Sequence, residues 1–307
     1  MDMQLLQKGL DGVDEAMLAI VDSDVNVLYD ASHHILASGG KRFRPRVAFL
    51  AYLAAGGRDV ERVVPLATAI EMVHTASLVH DDINDHSVLR RGKPAVHSIW
   101  GRTFALLTGD YLFTKVYALV APYSSQHNVI MSKACTKLVE GETLQAMAAK
   151  DGEMDQETYK KIIARKTASL FEAAARMGAL EAGADEQLTE ALADYGYHIG
   201  LVFQIVDDIL DIIGDPEKMG KPVQADMAQG RGVMVVKNGH AAAERVAEPN
   251  SVERMIENLR ESGAVQLARY QAQRMAERAR AALNGVPASP AWDAMDELID
   301  LTLDRDQ

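Results

Sequence analysis

A chain of 307 residues with 48% apolar and 25% charged side chains has ample material for a buried core and the charge of an ordinary soluble protein. A net charge of -12 argues against a nucleic-acid partner, since phosphate backbones demand a basic surface; small phosphorylated ligands need only a few cations at one place. The lone Cys135 excludes an intramolecular disulfide framework and fits a reducing compartment.

Met1 to Leu10 carries the acidic Asp2 and no apolar stretch of signal-peptide length, and no segment reads as the ~20 apolar residues of a membrane span. The expected location is cytoplasmic. Long windows rich in Ala, Leu, Met and Glu repeat apolar residues at helical spacing, without convincing alternation or an Asn-Gly hairpin between strand-like runs. The fold class is therefore all-α. With no linker or composition break, residues 1–307 are expected to form a single domain. In chain order, breaks fall at Ser38-Gly39-Gly40, Gly56-Gly57, Arg91-Gly92-Lys93-Pro94, Asp151-Gly152 and Gly214 to Pro222. One helix is predicted from Pro65 to about Asp85 and another from about Ala191 to Ile213, with a short strand tolerated only at Val233 to Val236.

One acidic pattern occurs twice. Asp81-Asp82-Ile83-Asn84-Asp85 and Asp207-Asp208-Ile209-Leu210-Asp211 each place carboxylates at i, i+1 and i+4, so at least two project from one helix face. Like charges at i, i+4 repel, and anions at a helix C-terminus oppose the macrodipole. A single such cluster is ordinarily a solvated helix end. Two copies, each ending an apolar helix, call for a positive partner, and an oxygen-only ligand set suits Mg²⁺ bridging carboxylates to phosphates. Cations stand between and beside them: Gly40-Lys41-Arg42-Phe43-Arg44-Pro45-Arg46, Arg90-Arg91-Gly92-Lys93, Lys221 and Arg231. Arg and Lys there suit phosphate oxygens, although basic runs are often only solvated. No phosphate-cradling G-x-x-x-x-G-K-[ST] loop is present.

These residues resemble the trans-polyprenyl diphosphate synthase family. Gly40-Lys41-Arg42-x-Arg44-Pro45 is similar to its GKRxRP, and Glu71 to Asp82 to the stretch entering its first aspartate motif. Asp81 to Arg91 reads DDxxDxxxxRR. Gly109-Asp110-Tyr111-Leu112, Gly141-Glu142, Lys166-Thr167 and Phe203-Gln204-x-x-Asp207-Asp208-x-x-Asp211 follow in the family's order. The resemblance spans about Leu28 to Arg231; the last seventy or so residues carry no usable motif.

The resemblance implies a helical bundle around a central cavity, condensation of isopentenyl diphosphate with an allylic diphosphate, and about three Mg²⁺ ions. Asp81, Asp82 and Asp85 would hold two, and Asp207 with Asp211, beside Asp208, a third. Arg90, Lys166, Lys221 and Arg231 would grip the allylic diphosphate, and Lys41, Arg44, His74 and Arg91 the isopentenyl diphosphate. Thr167 and Gln204 would face the reacting carbons. His74 lies in register with Leu78, Asp81 and Asp85, which favours a pocket-lining role over that of a satisfied core histidine; His80 lies on another face and reads as structural. The family's GKxT appears as Gly230-Arg231-Gly232-Val233, keeping the charge without the Thr, and Gly214 to Gly220 reads as either a lid or a plain surface loop.

Ala76 and Ser77 lie five and four positions before Asp81, about 6–8 Å deeper along the helix, where the family uses an aromatic floor to stop chain growth. Both are small, so a product longer than farnesyl is expected unless Phe104, Phe113, Tyr117 or Met147 supplies the floor. A di-metal carboxylate bundle is the weaker reading, because Glu71-x-x-His74 occurs once. A terpene cyclase would not need Lys41, Arg44 and Arg91, and a regulatory subunit of a heteromeric synthase would be expected to lose an aspartate cluster. The family resemblance also implies a homodimer.

Overall fold

The computed structural model describes residues 2–152, 154–213 and 263–306. In chain order the described elements are α1 (Asp2–Ile20), α2 (Asn26–Leu36), α3 (Phe43–Ala54), α4 (Val64–Asn84), β1 (Leu89–Arg90), β2 (Lys93–Pro94), α5 (Val96–Val120), α6 (Ser125–Asp151), α7 (Gln156–Ile163), α8 (Ser169–Glu181) and α9 (Glu186–Ile213), followed by α10 (Ala264–Leu283) and α11 (Pro290–Leu303). Short 3₁₀ turns cover Val60–Arg62 and Asp304–Asp306, and a π turn, Ala164–Ala168, joins α7 to α8. The all-α expectation holds.

Helices α3 and α4 are buried nearly all round, as their apolar sequences require: ten of the twelve α3 residues are buried, Arg44 among them. The most extensive pairings among the described residues are α4 with α5 and α9 with both α8 and α10. Small residues permit these approaches. A Cβ on Gly178 of α8 would lie 2.2 Å from the Ala48 carbonyl oxygen of α3, and one on Gly200 of α9 would lie 2.8 Å from Ala168 Cα. At the other end of the chain, Tyr195 Oη donates to the Met295 carbonyl at 2.8 Å, fixing α11 against α9.

The predicted first helix matches α4 within a residue, and Pro65 sits in its first turn. Helix α9 begins five residues before the predicted Ala191, because the Asp185 carboxylate accepts the Leu188 N–H at 2.8 Å and starts it earlier. The Arg91–Gly92 break is a two-residue hairpin turn with φ of 51° and 75°, pairing Leu89 with Pro94 and Arg90 with Lys93; the only sheet among the described residues is this pair. Helix α5 is kinked at Gly101 (φ 83°, ψ 163°), which its periodicity did not signal. Val60–Asn84 is long and apolar enough by length and composition to cross a membrane, but 78% of its most apolar window is buried in the bundle, as in a core helix. The tolerated strand at Val233 to Val236 and the break beyond Ile213 lie outside the described residues.

Gly178→Ala is expected to lower the unfolding free energy by about 1–3 kcal/mol in urea titrations, because the added methyl meets backbone rather than a yielding side chain.

Candidate active site

On α4, most positions from Glu71 to Ile83 are buried; His74, Leu78, Asp81 and Asp85, spaced at three and four residues, form a partly exposed stripe. On α9 the matching partly exposed positions are Phe203, Gln204, Asp207, Asp208 and Asp211. Each carboxylate cluster thus faces out of an otherwise buried helix.

The two middle carboxylates are occupied by protein donors. Asp82 is 1% exposed and takes the Arg90 guanidinium, Nε at 3.0 Å and Nη2 closer still. Burial raises its pKa against the opposing pull of Arg90, and its Oδ2 is buried without a hydrogen-bond partner among the described residues. Asp208 accepts from Tyr159 Oη at 2.6 Å and from Gln204 Nε2 at 2.8 Å. The outer carboxylates meet cations more loosely. Lys166 Nζ is 3.6 Å from Asp81 Oδ2 and 2.7 Å from Glu142 Oε1, and Arg305 Nη2 donates to Asp207 Oδ1 at 3.0 Å. Among the described residues no three acidic, His or Cys side chains converge on one point. A cation such as Mg²⁺ fits this donor set because it takes one or two carboxylates and completes its shell with water and substrate phosphate.

The Gly39-Gly40 turn and the hairpin bring a second, basic cluster to the same region. Gly40 lets two guanidinium groups cover its backbone: a Cβ there would lie 3.0 Å from Arg91 Nη1 and 3.1 Å from Arg42 Nη1. Arg44 is buried, its guanidinium 4.8 Å from the Phe171 ring centre, and its Nε has no hydrogen-bond partner among the described residues. Burial pushes its pKa down to about 10, while Glu71 and Asp207 pull the other way. Burial also lowers Lys41, with Arg305 adding to the effect, and Arg91, with Arg42 and Arg90 adding to it. His74 falls well below its ordinary range through burial and the charges of Arg44, Arg91, Arg90 and Arg42, so it is a neutral hydrogen-bonding group.

Lys166 and Thr167 sit in the π turn, a distortion frequent at functional sites. Gly141 of α6 accommodates it, since a Cβ there would be 2.5 Å from the Lys166 nitrogen. Thr167 Oγ1 donates to Gln204 Oε1 at 2.6 Å, so a chain of hydrogen bonds runs Thr167, Gln204, Asp208, Tyr159.

The structure therefore brings Lys41, Arg44, His74, Arg90, Arg91, Lys166, Thr167 and Gln204 near the carboxylates; Lys221, Arg231 and the Gly214 to Gly220 segment lie outside the described residues. Two groups at the site, Tyr159 and Arg305, had escaped the sequence reading, and Glu142 had been noted there only as part of a motif, without a role. Glu142 is pushed up to about 7 by burial and by Asp81, with Lys166 opposing. Arg305 also lies over the Phe203 ring at 4.4 Å, and nothing in an isolated C-terminal Arg signals a contact 98 residues back. Deeper on α4, Ala76 and Ser77 are buried. Phe104, Tyr117 and Met147 are exposed, at 45%, 77% and 54%. Phe113 packs against His80, ring centres 6.1 Å apart.

Residues 25–271 match the model of the family described as Polyprenyl synthetase. The chain belongs to the polyprenyl synthetase family. Over 99% of its length it is 36% identical to a short chain isoprenyl diphosphate synthase of Methanothermobacter thermautotrophicus, covering 98% of that protein. It is 33% identical to the octaprenyl diphosphate synthase of Escherichia coli, over 99% of this chain and 98% of the relative. Its fold matches the crystal structure of a polyprenyl synthase from Caulobacter crescentus complexed with calcium and isoprenyl diphosphate, with a TM-score of 0.93 and 36% identity over 100% of this chain and 97% of that one. This polyprenyl synthetase is a prenyltransferase that condenses isopentenyl diphosphate with an allylic diphosphate.

Tyr159→Phe removes one of the donors to the Asp208 carboxylate, which Gln204 also holds. It is expected to cost about 1–3 kcal/mol in chemical denaturation and to lower kcat through a loosened Gln204.

Proposed function

We propose that the two carboxylate clusters and the basic cluster divide the two substrates between them. The observation that carries this reading is Arg44, a buried guanidinium with an unpartnered Nε, set among Lys41, His74 and Arg91 where an incoming anion would complete its bonding. Lys41, Arg44 and Arg91 take the isopentenyl diphosphate, and neutral His74 donates a hydrogen bond to it. Arg90 and Lys166, with Lys221 and Arg231, take the allylic diphosphate. Asp81, Asp82 and Asp85 on one side and Asp207, Asp208 and Asp211 on the other would hold about three Mg²⁺ ions, which when bound neutralise diphosphate charge. The buried Asp82 and the doubly bonded Asp208 serve chiefly to anchor their neighbours.

Cations gathered around the leaving diphosphate favour breaking of the allylic C–O bond, beside the packed rings of Phe43, Phe171 and Phe203. The oxygens of Thr167 and Gln204 stabilise the allylic cation. The double bond of isopentenyl diphosphate attacks it, forming the new C–C bond, and a proton passes to the departing diphosphate. Holding both substrates in line supplies much of the rate.

The small Ala76 and Ser77 leave the depth below Asp81 open, so the product is longer than farnesyl, each further buried methylene favouring the tail by about 0.8 kcal/mol. Residues 1–307 act as one domain in the cytoplasm. The exposed apolar side chains of Phe104, Leu107 and Tyr117 on α5 and of Val139 and Met147 on α6 are ones a second copy of this chain would cover in a homodimer.

Purified enzyme given isopentenyl diphosphate and separate allylic primers, with and without Mg²⁺, should elongate only with metal and pass beyond the fifteen-carbon product. Asp81→Ala and Asp207→Ala are expected to lose about 10²-fold or more in kcat; full activity in both would overturn the assignment. Ser77→Phe should shorten the product, read by chromatography of the dephosphorylated prenols; an unchanged length places the floor elsewhere.

A further inference from the structure

Arg42 lies within the basic run yet takes no substrate in the scheme above. Its backbone is left-handed, φ 49° and ψ 40°, at the residue that starts α3. A non-glycine residue there costs about 1–2 kcal/mol. Neither the turn nor the helix cap needs an Arg, so the side chain must account for it. Arg42 Nε donates to Asp14 Oδ1 of α1 at 2.7 Å, and Nη1 donates to Glu71 Oε1 of α4 at 2.9 Å. Asp14 is a half-exposed surface acid, whereas Glu71 is 3% exposed.

Glu71 answers more than one cation. Its charge also favours the protonated forms of Arg44 and Arg91, and it stands one turn before His74 on the same helix. The guanidinium groups of Arg42 and Arg91 both cover Gly40. Three guanidinium groups brought this close repel one another, and with Arg44 buried and Arg42 largely so they need a counter-charge to stay together. Glu71 is that charge. It is fixed on α4 by its position, while Arg42 ties it to the loop that carries Lys41 and the helix that carries Arg44.

We propose that Arg42 and Glu71 are a positioning pair for the isopentenyl diphosphate pocket: Glu71 is the resident anion that keeps Arg44 and Arg91 gathered, and Arg42 locks the Lys41–Arg44 segment to α4. The inference rests on the reading of Lys41, Arg44, His74 and Arg91 as the isopentenyl diphosphate site. Arg42 touches no substrate and acts through its neighbours.

Steady-state kinetics of the full chain with Mg²⁺ separate the two. Glu71→Gln keeps the shape and removes the charge; it should raise KM for isopentenyl diphosphate roughly tenfold, equivalent to ~1.4 kcal/mol, with kcat and the allylic KM within about twofold. Arg42→Met combined with Glu71→Gln should be no worse than the worse single change, since the two act as one unit. Arg42→Lys, which cannot reach both carboxylates, carries the same expectation and serves if Glu71→Gln does not fold. A fall in KM for isopentenyl diphosphate in Glu71→Gln would mean that Glu71 merely competes with substrate and would overturn the proposal. So would equal changes in all three kinetic constants, or none. Lys41→Ala tests the underlying site: if it leaves KM for isopentenyl diphosphate unaltered, the pocket assignment fails, whereas a raised KM there with an unaltered Glu71→Gln sinks the positioning pair alone.

Discussion

Charge that cannot be neutralised by the protein alone organises this structure. Two helices end in runs of carboxylates, at the pole where the helix dipole disfavours them, and the segments beside them deliver the buried Arg44, the half-buried Arg90 and the exposed Lys41 and Arg91. Each sign is partly answered by the other. Arg90 holds Asp82, Lys166 lies between Asp81 and Glu142, Arg305 caps Asp207, and Glu71 answers Arg42. The groups buried without hydrogen-bond partners among the described residues include Arg44 Nε, Asp82 Oδ2 and the Nε and Nη1 of Arg305. A substrate carrying a diphosphate, together with a divalent cation, supplies both kinds of missing partner.

A site of this kind requires a rigid frame, because buried like charges would otherwise spread apart. The frame comes from close helix approaches at glycine. Gly178 seats α8 on α3, which carries Arg44; Gly200 seats α9 on the segment entering α8; Gly141 seats α6 on the π turn that carries Lys166 and Thr167. Each of these glycines lies where a Cβ would strike backbone, so the spacing of the charged groups is set by main-chain contact rather than by adaptable side chains. The Thr167, Gln204, Asp208, Tyr159 chain then ties the π turn, α7 and α9 together by hydrogen bonds.

Much of the site was legible because its chemistry is written locally. The spacing of Asp81, Asp82 and Asp85, repeated at Asp207, Asp208 and Asp211, fixes which carboxylates share a helix face, and the register of His74 with Asp81 follows from the same 3.6-residue period. The π turn was not legible, since Ala164 to Ala168 contains no residue that forbids an ordinary α-helix. Nor was the early start of α9 at Glu186, which depends on one Asp185 cap, or the Arg91–Gly92 hairpin, whose strands are two residues each.

The sequence by itself determined the helical class, the two acidic clusters, the cations that accompany them and the family to which they belong, because periodicity and motif spacing are properties of neighbouring residues. Only the tertiary structure decided which charge answers which. That Asp82 belongs to Arg90, that Arg305 reaches Asp207 and that Arg42 links Asp14 to Glu71 depend on contacts between segments distant in the chain. Those contacts are set by how closely the helices pack.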